Sequence, residues 1–122
     1  MTRRALIDYC LSYPDAYEDY PFDDPAAWTA MRHGGNRKTF AFIFCREAQG
    51  GLCVNLKCEP MEADFYRRQY PAVTPAYHMN KEHWNTVRLD DTLPPDELRA
   101  MIEASYRLTM PKAGPKNAPR GQ

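Results

Sequence analysis

Thr39-Phe-Ala-Phe-Ile-Phe-Cys45 and, beyond a Gln49-Gly-Gly51 turn, Leu52-Cys-Val-Asn-Leu-Lys-Cys58 are the stretch on which the fold depends. Both runs are apolar, of strand length, and joined by glycines, so they read as a β-hairpin. Side chains on a strand alternate between faces, and a buried face pins the register. Phe40, Phe42 and Phe44 share one side of the first strand, and Leu52, Val54, Leu56 and Cys58 one side of the second. These two sets are expected to meet on the core face. The opposite face would then show Ala41, Ile43, Cys45, Cys53, Asn55 and Lys57.

Upstream, Trp28 to His33 reads as a strand closed by the Gly34-Gly-Asn36 turn. Asp15 to Asp24, with five acids, no base and three aromatics, reads as a connector holding one short edge strand. Thr2 is suited to cap a first helix running to about Tyr13, with Ala5, Leu6, Tyr9, Cys10 and Tyr13 on one face. Downstream, Pro60 opens a short helix on which Met61, Phe65 and Gln69 share a face, ending before Pro71. After a Thr74–Asn80 loop, His83 to Leu89 is a further strand, with Val87 and Leu89 inside and Trp84, Thr86 and Arg88 outside. Pro94 and Pro95 begin the last helix, whose expected buried stripe is Leu98, Met101, Ile102, Ser105 and Leu108.

This order predicts a two-layer α+β fold, α-β(3)-α-β(1-2)-α, with an antiparallel sheet carrying all helices on one face. The other face would be open, with Asn55, Lys57, Trp84 and Arg88 forming one polar and aromatic surface. A chain of 122 residues forms one domain, expected over 1–110. Residues 111–122, with three prolines, two glycines and three basic residues, are expected to be a disordered tail.

The composition, 43% hydrophobic and 26% charged, is that of a soluble globule. No apolar run approaches the roughly 20 residues of a membrane span. Asp8 interrupts any signal-like region, so the expected compartment is the cytoplasm. A net charge of zero argues against nucleic-acid binding by bulk charge, but the charges are segregated. Residues 32–88 hold nine basic and five acidic groups, whereas residues 1–31 hold two and six. The basic middle is a footprint for an anionic partner.

Tyr77-His-Met-Asn-Lys-Glu-His-Trp-Asn-Thr86 crowds unusual chemistry into ten residues. With Val54-Asn-Leu-Lys-Cys-Glu-Pro60 and Asp96 to Tyr106 it resembles the MmcQ/YjbR family, and Tyr20-Pro-Phe22 and Phe40-Ala41 fall in register. The matched motif residues are His78, Asn80, Lys81, His83, Trp84 and Thr86. The resemblance implies a small bacterial domain of the secretion-chaperone-like type carrying a double-wing DNA-binding motif. The wings would be the turns His33–Lys38 and Arg46–Gly51.

On that reading DNA is the partner, and Arg37, Lys38, Lys57, Lys81, Trp84 and Arg88 are the candidate contacts. The alternative is a protein-interaction module that docks a partner on the open face or the His78–Thr86 loop, with Ile43 and Trp84 exposed. No metal site is expected. Cys53 and Cys58 point to opposite faces, and nothing completes a set around His78 and His83. A histidine there is expected to hold the loop backbone. No nucleophile–base pair or phosphate-cradling glycine motif is evident, so neither catalysis nor a cofactor is expected. Cys10 and Cys58 belong to the core, Cys45 and Cys53 are expected opposite each other on the open face, and all four to remain thiols.

Overall fold

Helix α1 (Arg3–Leu11) starts where expected, with the Thr2 hydroxyl accepting the Ala5 N–H at 3.1 Å, and it buries Leu6, Ile7 and Cys10. The computed structural model describes residues 1–22, 27–49 and 51–112, so the expectation for the tail lies almost wholly outside the described residues. Strands β1 (Ala16–Asp19), β2 (Trp28–His33), β3 (Thr39–Arg46) and β4 (Gly51–Lys57) form an antiparallel meander. Helix α2 (Pro60–Gln69) follows, then β5 (Val73–Pro75), β6 (Trp84–Arg88) and helix α3 (Pro95–Thr109). The sheet order is β1-β2-β3-β4-β6-β5, every pair antiparallel. Strand β6 thus joins β4, and β5 doubles back along the outer edge.

The two-layer α+β arrangement is as predicted. Helix α3 lies across β3 and β4 and buries Leu98, Met101, Ile102, Ser105 and Tyr106 against them. Leu108 does not belong to that stripe and is exposed. Helix α2 turns Ala63 inward, while Met61 and Phe65 on the shared apolar face point to solvent, 87% and 57% exposed.

The face assignment of β3 must be corrected. Ala41 pairs with Leu56 and Ile43 with Val54, all beneath the helices, whereas Phe42 pairs with Asn55 and Phe44 with Cys53 on the other face. Ile43 is therefore fully buried, not exposed. Phe40 still reaches the core because of a bulge. Met31 pairs with Ala41 but Arg32 pairs with Thr39, leaving Phe40 as the extra residue. Its ring packs against Tyr13, His33 and Tyr106 on the helix side. The Ser105 hydroxyl repairs the interrupted ladder: it donates to the Phe40 carbonyl at 2.6 Å and accepts the Lys57 N–H at 2.8 Å.

The cysteines need a second correction. Cys45 pairs with Leu52 and Cys53 with Phe44, so alternation sends their side chains to opposite faces. Cys53 and Cys58 are buried, and burial raises both thiols, Cys58 to about 11.

Candidate binding face

The helix-free face carries a second, smaller cluster of aromatics. Strand alternation puts Trp28, Phe42 and Phe44 there, together with Asn55, Lys57, Trp84, Thr86 and Arg88. Trp28 stacks on Phe44 at 4.3 Å and 17°. The centre of this face is not open. The loop between β5 and β6 folds over it, and Tyr77 lies nearly parallel to Trp28, 6.4 Å between centroids.

Buried polar side chains fix that loop. Thr86 Oγ1 accepts the Tyr77 N–H at 2.9 Å, and Asn55 Nδ2 donates to the Tyr77 carbonyl at 2.9 Å. Thr86 Oγ1 also donates to Asn55 Oδ1. Asn55 thus sits on the expected side of the sheet but is buried under the loop and not part of an exposed surface. From the helix side Arg67 donates to Asn85 Oδ1 at 2.6 Å and to the carbonyls of Trp84 and Lys81. Within the loop Asn80 Oδ1 accepts the Glu82 N–H. The loop is therefore held by Asn55, Thr86, Asn80 and Arg67. His83 Nε2 faces Glu82 at 3.5 Å, and only its backbone carbonyl ties the loop to Cys58.

His78 adopts a left-handed backbone, φ 62°, uncommon outside glycine. Its ring lies 4.0 Å from that of Tyr77. Beside it is a depression of about 270 Å³ lined by Phe22, Trp28, Phe42, His78 and Met79. Phe22 and Phe42 stand nearly perpendicular to Trp28, at 79° and 75°. Trp84, half-buried, continues the aromatic surface 6.1 Å from Phe42. Cations bound it at both ends: the Arg46 guanidinium lies 4.0 Å over the Tyr77 ring, and Lys57 is the cross-strand partner of Trp84.

The candidate contacts are thus only partly gathered. Lys57 is paired with Trp84 across β4 and β6, and Lys81 is exposed in the loop that precedes β6. Arg88 shares the face but is tied to Asp90 at 2.6 Å. Hydrogen bonds from Thr92 and Arg88 hold the Asp90 carboxyl down at about 2. Arg37 and Lys38 are exposed in the β2–β3 turn, which leans toward the helix layer: Asn36 Nδ2 donates to the Thr109 carbonyl, and the Gly34 N–H to the Asp15 carbonyl. The two turns assigned as wings close consecutive hairpins and so lie at opposite ends of β3. Trp28 and Phe42 carry no site signal in the sequence, and Phe22, Tyr77 and Met79 fall within matched segments without being candidate contacts. The one legible signal of this face is that β3 is apolar in both alternations, which demands cover on both faces. Among the described residues no cluster of three metal-ligating side chains occurs, and no helix is long and apolar enough to cross a membrane.

Three helices behind an antiparallel sheet, with an aromatic front roofed by a pinned loop, define a small two-layer α+β domain whose distinctive chemistry lies on the helix-free face. The YjbR family model matches residues 11–108, and the chain belongs to the YjbR family. It is 34% identical over 107 residues to the Escherichia coli K12 protein YjbR, covering 88% of this chain and 86% of that one. It is 30% identical over 117 residues to Bacillus subtilis YyaQ, covering 89% and 98%. A Pseudomonas syringae crystal structure superposes with a TM-score of 0.81 at 33% identity, covering 90% of this chain and all of the other. A Deinococcus radiodurans structure with the DUF419 domain reaches 0.77 at 32% identity, covering 88% and 77%.

Proposed function

We propose that this protein is a DNA-binding domain that works through its aromatic sheet face and takes single-stranded DNA in preference to duplex. One observation carries the reading: the track Tyr77–Trp28–Phe42–Trp84, bounded by Arg46 at one end and Lys57 at the other. Unpaired bases stack on aromatic side chains regardless of sequence, while flanking cations follow the backbone. A duplex hides its base faces and would meet only scattered charge. In a chain of zero net charge, stacking supplies affinity that bulk attraction does not.

The test is fluorescence anisotropy with labelled single-stranded and duplex oligonucleotides over a range of salt. Single strands should bind more tightly, with affinity falling as salt rises. Trp84→Ala should weaken binding without unfolding the protein. Absence of binding to either form at low salt would end this reading.

A second reading, docking of a protein partner, is favoured by a different surface. Met61 and Phe65 form an exposed apolar ridge on α2, on the helix layer. Contacts there would show little salt dependence and would be lost in a Met61→Ser, Phe65→Ser double variant.

A further inference from the structure

We infer that the depression between Phe22, Trp28, Phe42, His78 and Met79 is a pocket for one unstacked nucleobase of a single strand. This rests on the reading of the aromatic face given above and narrows it to a single site. At about 270 Å³ the cavity lies just below the range of whole-ligand pockets, so it suits one ring system. Its walls suit a flat guest: Phe44 backs Trp28, while Phe22 and Phe42 stand almost upright beside it.

Among the described residues the lining is apolar except for His78 and the indole N–H of Trp28, and of these His78 can either donate to or accept from an edge of the guest. His78 is held in position by its surroundings. The preceding residue, Tyr77, is bonded through both its N–H and its carbonyl, and the left-handed backbone at His78 is a strained conformation for a non-glycine residue. Among the described residues no basic side chain lines the cavity, so the apolar lining favours a base over a phosphate. Arg46 and Lys57 flank the track outside, and Lys81 is exposed in the same loop as His78. A guest with an aromatic body within and anionic groups without is a nucleotide, and Trp84 offers the next base a platform.

Nuclear magnetic resonance of the 15N-labelled full chain tests the pocket by following the Trp28 indole N–H. The probes are a short oligothymidylate, an abasic oligomer of equal length and charge, and a neutral peptide containing tyrosine. Oligothymidylate should shift the Trp28 signal, and the abasic oligomer should bind about tenfold or more weakly and leave the signal in place. Phe22→Ala and His78→Ala should each weaken oligothymidylate binding severalfold. Phe22 is 57% exposed, so its removal should leave the fold intact, as a thermal melt would verify. Equal binding of the two oligomers, with Trp28 unmoved, would overturn the pocket and leave a purely electrostatic role for the face. Tighter Trp28 binding by the peptide would overturn it in favour of a protein partner. If neither oligomer binds at low salt, the DNA reading fails and the pocket with it.

Discussion

At the scale of single residues, Ser105 and the aromatic pair Phe40 and Phe42 separate what the sequence shows from what it hides. Ser105 looks like a small filler in a helical stripe, yet its hydroxyl serves two backbone groups orphaned by the bulge. Ser105→Ala should cost about 1–3 kcal/mol in urea unfolding, and the Lys57 amide should exchange faster with solvent. Phe40→Ala removes a fully buried ring and should cost about 3–5 kcal/mol. Phe42→Ala removes a half-buried ring from the other face, so it should cost clearly less and act mainly on binding. Equal losses would contradict the two-faced strand. His33 is buried with Nε2 2.8 Å from Thr109 Oγ1, and burial lowers its pKa from the ordinary 6.5. The unfolded chain therefore takes up a proton at that site before the folded one does. Stability should be full above pH 6.5 and decline below it, as protonation of the unfolded chain outruns that of the folded one, until the folded histidine charges as well. Melting temperatures of the wild type and His33→Gln between pH 5 and 8 should diverge in that acidic window.

At the scale of elements, sequence periodicity located all the helices and most strands, missed the short β5, and failed on the faces of β3 for an identifiable reason. β4 alternates Leu52, Val54 and Leu56 with Cys53, Asn55 and Lys57, and its core side was legible. β3 is apolar in both alternations, so pattern alone does not choose between Phe42 and Ile43. The pairing to β4 chooses, and a bulge at Phe40 then restores one phenylalanine to the core. The Tyr77–Thr86 motif did not reveal how its own loop is held, because Asn55 and Arg67, which fix the loop, come from elsewhere in the chain. Arg67→Ala should cost roughly 1.5–3 kcal/mol, since its guanidinium bonds three acceptors. Arg67→Lys should rescue little, because an ammonium lacks the planar fork. Both variants should loosen the wall formed by His78 and Met79, seen as faster amide exchange over residues 77–83.

At the scale of the whole molecule, the question is which cations act together. Consecutive hairpins put the two turns about 27 Å apart, the length of an eight-residue strand. Arg37→Ala with Lys38→Ala should therefore leave single-strand affinity and its salt slope nearly unchanged. Lys57→Ala should make the slope of log affinity against log salt shallower by about 0.7. The reverse result would return the contact to the first turn. The layer order was readable from turn residues and helix caps, whereas the aromatic front was not, because it is assembled from β2, β3 and a loop far along the chain. That assembly bears on biosynthesis. Strand β3 leaves the ribosome with apolar side chains on both sides. The cover for one side comes from residues 76–83 and for the other largely from α3, the last described element. Through most of translation the β3–β4 hairpin is a two-faced sticky ribbon, the kind of intermediate that aggregates in crowded cells. Escape depends on finishing the chain quickly or on a holding chaperone, so yield on overexpression should respond to synthesis rate even where the finished fold is stable.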